Sequence, residues 1–82
     1  MTNKYDYSKI RVARNEFEAL MKIHGISNRR MAKVMNITEV TSRKYIVEPS
    51  LIRVIHIHRI SEYIGLTMTD VLETIEYDLK QE

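Results

Sequence analysis

The stretch SNRRMAKVMNITEVTSRKYIV, residues 27–47, decides how this chain folds. Ser27 is a helix cap, and Met31, Ala32 and Met35 follow at the spacing of one inward helical face. Asn36 comes next. After glycine, asparagine is the residue that best tolerates the left-handed conformation that ends a helix. Ile37 then plugs the turn, Thr38 caps a second short helix, and Pro49 prevents that helix from continuing. Two short helices meeting at a tight turn must cross steeply. Ala32 supplies the small residue such a crossing needs, and Tyr45 is placed to anchor the second helix inward. The rest of the second helix is then left facing outward.

Working outward, Asn15 with Glu18 three residues later forms a capping box, so a first helix starts near Asn15. Phe17, Leu20, Met21 and His24 make its inner face, and Gly25 ends it. Ser50 is read as the cap of a fourth helix that reaches Ile64 and ends at Gly65. Thr67 with Asp70 opens a fifth, carrying Val71, Leu72, Ile75 and Leu79. Residues 1–14 form a polar, basic lead-in, and residues 15–82 form the domain. The expected fold is all-α, a compact five-helix domain with a short basic N-terminal arm.

The 82 residues suffice for one modest core. With 2 Gly and 1 Pro there are few breaks, which favours helices joined by short loops. The absence of Cys rules out disulfides and thiolate metal sites, and it points to a reducing, cytoplasmic setting. Leu51 to Ile64 is the densest apolar run. Arg53, His56, His58, Arg59 and Glu62 interrupt it, so it does not read as a membrane span.

The net charge is only +2, but it is unevenly placed. Residues 27–54 hold six Lys or Arg against two Asp or Glu, whereas residues 55–82 hold two against six. A basic middle and an acidic tail suggest one surface turned toward a polyanion.

The segment 27–47 resembles the helix-turn-helix of the lambda-repressor-like family, also called Cro/C1 or XRE, which includes phage repressors. The matching residues are Ser27, Met31-Ala32, Met35, Asn36, Ile37, Thr38 and Thr41, and Gly65 to Leu72 resembles the family's close. The likeness runs from about Phe17 to Ile75. Three positions depart from the pattern. Asn36 replaces the usual Gly. Ser42 stands where the family buries an aliphatic residue, which Val40 or Ile46 would replace if the helix rotated. The fourth helix, read from Pro49 to Gly65, runs about a turn long.

The resemblance implies a sequence-specific regulator of double-stranded DNA: a phage or mobile-element repressor that binds an inverted repeat as a dimer. It places Glu39, Val40, Thr41, Arg43 and Lys44 outward on the reading helix. Arg43 suits a guanine edge and Val40 a thymine methyl. Thr38, Thr41 and Lys44 suit phosphates, as do Asn28 and Arg29 at the start of the preceding helix. Lys9, Arg11 and Arg14 form either an arm that contacts DNA or a plain solvated terminus. Leu51, Ile52, Ile55, Ile75 and Leu79 are the expected dimer surface.

Other chemistry is poorly served. His56 and His58 point apart on a helix and cannot share a metal, so both read as surface or rim side chains. No nucleophile–base pair or phosphate loop is present, and neither an enzyme nor a cofactor is expected. A second, shorter resemblance links residues 65–73 to the N-terminal domain of a phage anti-CRISPR autorepressor. It implies a Cas nuclease as an alternative protein target. Such an inhibitor would tolerate loss of Arg43, and a repressor would not.

Overall fold

The structure, a computed structural model, describes residues 13–80, the last four by their backbone. Within that range the chain forms five α-helices: α1 Glu16–Ile23, α2 Asn28–Met35, α3 Glu39–Val47, α4 Val54–Ile64 and α5 Met68–Lys80. A single 3-10 turn, Pro49–Leu51, lies between α3 and α4. There is no strand among the described residues.

Local chemistry sets most boundaries. Asn15 Oδ1 accepts the Glu18 N–H at 2.7 Å, Ser27 Oγ accepts the Arg30 N–H at 3.1 Å, and Thr38 Oγ1 accepts the Thr41 N–H at 3.1 Å. Before α5 the bonds are reciprocal, from the Thr67 N–H to Asp70 Oδ2 and from the Asp70 N–H to Thr67 Oγ1. Each bond satisfies an amide that a helix start leaves without a partner. Three helices end by one device. Gly25, Asn36 and Gly65 all take positive φ, and the amide of the following residue reaches back five positions. These bonds are Ile26 to Met21 O, Ile37 to Ala32 O and Leu66 to Ser61 O, at 2.9, 2.9 and 3.0 Å.

The core is built from Phe17, Met21, Met31, Met35, Ile60 and Val71, with Ile52, Ile57 and Ile75 beside them. Three methionines around one phenylalanine give a core of unbranched side chains that fill irregular gaps. α1 packs on α5, α2 on both α3 and α4, and α4 on α5.

The structure corrects several expectations. Ser50 does not cap α4, because it lies in the 3-10 turn. Ile52 and Arg53 are then extended, and α4 starts only at Val54, so it is not a turn too long. The extension is what carries Ile52 inward to 8% exposure. Ile52 and Ile75 are therefore core residues and cannot form a dimer surface. Val54, at the start of α4, is 70% exposed, and His24, expected on the inner face of the first helix, is exposed at the end of α1. His56 is buried rather than on the surface, while His58 is exposed and pairs with Glu62 at 3.2 Å.

Candidate nucleic-acid interface

Of the nine residues of α3, only Ser42 and Tyr45 are buried. So little apolar burial cannot fix a helix in place by itself, and polar ties supplement it along its length. At the N-terminal end, Asn28 Nδ2 donates to Glu39 O at 3.1 Å. One turn on, Ser42 Oγ donates to Asn28 O at 3.2 Å. Tyr45 OH meets His56 Nδ1 on α4 at 2.8 Å. At the C-terminal end, Asn15 Nδ2 donates to Ile46 O. A further tie holds the turn itself, where the Arg59 guanidinium of α4 donates to Met35 O at 2.8 Å.

These ties explain the departure at Ser42. The helix keeps the family register and does not rotate: Ser42 is fully buried, Val40 is 61% exposed and Ile46 is partly buried against the core. The hydroxyl replaces aliphatic packing with a hydrogen bond to α2.

The opposite side of α3 is open. Val40, Arg43, Lys44, Val47 and Glu48 line it and, with Leu51, bound a shallow concavity of about 360 Å³. Glu39 is exposed at the first turn, and Thr41 is half-buried. Thr38 spends its oxygen on capping and donates to Thr41 Oγ1 at 3.0 Å. Arg29 is exposed on α2. Asn28 is half-buried, and its amide serves the α2–α3 contact rather than the outside; its Oδ1 is buried without a hydrogen-bond partner.

The structure thus brings Arg29, Glu39, Val40, Arg43 and Lys44 to the exposed surface of the helix pair. Arg14 is exposed and its N–H is held by Glu18 Oε1 at 2.8 Å. Lys9 and Arg11 lie outside the described residues, as does the side chain of Leu79. Leu51 and Ile55 are exposed, at 53% and 45%.

Three exposed cations were not singled out from the sequence: Arg30 and Lys33 on α2, and Arg53 before α4. Helical spacing could have found the first two, since Arg29, Arg30 and Lys33 share the side of α2 opposite Met31, Ala32 and Met35. Arg59 and the Tyr45–His56 pair carried no such signal.

His56 titrates below its ordinary range. Burial disfavours the charged ring, and the nearby Arg53 and Arg59 charges add to that. A neutral His56 can accept a hydrogen bond from the Tyr45 hydroxyl at Nδ1, which fits the observed contact.

Comparison with curated proteins and with solved structures gave no significant match. The Cro/C1-type HTH DNA-binding domain family matches residues 16–76, from the start of α1 into α5. Capped helices, an αL turn at Asn36 and an open, cationic third helix agree with that match, and the chain belongs to the Cro/C1-type helix-turn-helix DNA-binding family.

Proposed function

We propose that this chain is a sequence-specific transcriptional regulator, a repressor of phage or mobile-element origin that occupies an inverted-repeat operator as a dimer. The observation that carries the reading is the outward face of α3, where Val40, Arg43 and Lys44 stand exposed on a helix tied to the body from behind. A helix of this width fits the major groove. Arg43 has the reach and the two-pronged donor geometry for a guanine edge. Lys44 and the α2 cations Arg29, Arg30 and Lys33 suit the flanking phosphates, which fix position without reading sequence.

Dimerisation is supported by a cluster of exposed apolar side chains next to the reading face: Val47, Leu51, Val54 and Ile55. Single exposed apolar residues are ordinary, but here four fall within nine residues, and Val47 and Leu51 bound the same concavity. An inverted-repeat operator asks of such a dimer that two copies of α3 stand about 34 Å apart, one turn of DNA. Bound across a promoter, it would exclude polymerase.

The test is binding to DNA from the chain's own promoter region at about 0.15 M salt. A duplex with an inverted repeat should shift, and Arg43→Ala should weaken that complex roughly tenfold to a hundredfold, with unchanged thermal unfolding. Equal affinity in Arg43→Ala would remove that residue from the reading, and the absence of any preferred duplex would end it.

A further inference from the structure

On the open face of α3, one turn ahead of its two cations, stands a side chain that can make no hydrogen bond. Val40 is the second residue of the helix and is 61% exposed. It sits in the first turn, the part of a reading helix that reaches base edges. Arg43 and Lys44 lie three and four residues on, flanking it on the same face. The floor of the major groove offers hydrogen-bond donors and acceptors and one apolar group, the C5 methyl of thymine. A valine pressed there by two cations has only that methyl to gain from.

Cytosine methylated at C5 carries the same methyl at the same place on the groove floor. Val40 cannot tell thymine O4 from the cytosine amine, because it neither donates nor accepts. We propose that Val40 reads the C5 methyl itself, so that a 5-methylcytosine–guanine pair replaces a thymine–adenine pair opposite it. Where the operator carries cytosine at that position, its methylation then strengthens binding. The proposal rests on the DNA-binding function above and adds the chemical group that is read.

The experiment starts from a duplex that the full-length protein selects from a random pool at about 0.15 M salt. In the selected duplex, each thymine is replaced in turn by deoxyuridine, which removes only the methyl, by cytosine and by 5-methylcytosine, the last two with guanine placed opposite. At one thymine per half-site, deoxyuridine should weaken binding about fourfold, the value of one buried methyl group. Cytosine should weaken it at least as much, and 5-methylcytosine should restore it to within about twofold of thymine, half the free energy of one methyl group. Val40→Ala, which alters an exposed side chain, should bind the thymine and deoxyuridine duplexes equally while unfolding at the wild-type temperature. A selected duplex that shows no deoxyuridine effect at any position overturns the proposal and leaves DNA binding standing, as does a Val40→Ala protein that keeps the fourfold difference. A pool that yields no preferred sequence overturns both.

Discussion

The phenol of Tyr45 and the imidazole of His56 meet 2.8 Å apart inside the protein, with their ring centroids 5.6 Å apart. This contact joins α3 to α4 and bears on stability. Tyr45→Phe keeps the packing and removes the hydroxyl, leaving a buried ring nitrogen without its partner. A loss of about 1–3 kcal/mol is expected, read as a lower urea midpoint at pH 7.5. The pH dependence follows from the lowered pKa of His56. The unfolded chain takes up the His56 proton at a higher pH than the folded one. Stability is therefore full above about 6.5 and declines as pH falls from there through the folded-state value. In His56→Gln that part of the decline between pH 7 and 5.5 should flatten, and an unchanged slope would place its origin elsewhere. The two histidines also show what spacing can decide. Residues two apart on a helix point in opposite directions, so His56 and His58 could not share an environment. The spacing excluded a common metal, but it did not say that one ring would turn inward to meet a tyrosine eleven residues away.

Among the elements, the turn between α2 and α3 depends on Asn36 at φ 60° and ψ 48°. An asparagine tolerates this conformation and a glycine adopts it freely, whereas a β-branched side chain resists it. Asn36→Gly should leave stability nearly unchanged. Asn36→Val should cost about 1–2 kcal/mol, or roughly 4–8 °C in Tm per kcal/mol for a domain of this size. Because α3 hangs from this turn, the valine variant should also lose DNA affinity; one that melts with the wild type would contradict the role given to Asn36. This turn was legible in the sequence for a physical reason. Its bonds span three to five residues, as do those of the caps at Asn15, Ser27, Thr38 and Thr67, so the partners are visible together. The ties that aim α3 are different. Asn15 to Ile46 spans 31 residues and Arg59 to Met35 spans 24, and no local pattern marks either pair. The start of α4 was misread for a related reason. Pro49 and Ser50 look like a helix opening, but burying Ile52 requires the chain to leave the helical path before Val54.

Over the whole molecule, charge is divided between a basic middle and an acidic C-terminal third, and the fold turns that division into a surface. Arg29, Arg30 and Lys33 of α2 and Arg43 and Lys44 of α3 are all exposed on the paired helices, while Asp70, Glu73 and Glu76 are exposed on α5. A duplex approaching α3 therefore meets cations, and its affinity must fall with salt as counterions are released. Each phosphate neutralised contributes about −0.9 to the slope of log K against log salt. A dimer on a full inverted repeat should thus show about twice the slope of one protomer on a half-site, whereas a monomeric binder would show the same slope on both. Arg30 separates positioning from reading. It lies on the side of α2 opposite the buried Met31, Ala32 and Met35, and so suits a phosphate rather than a base. Arg30→Gln should weaken binding to every duplex by a similar factor and reduce the slope by about 0.9 per protomer, with the base preference intact. Binding isotherms between about 0.05 and 0.2 M salt would measure both effects. If Arg30→Gln instead changed the preferred sequence at constant slope, α2 would lie nearer the groove floor than α3, and the division of labour between the two helices would be reversed.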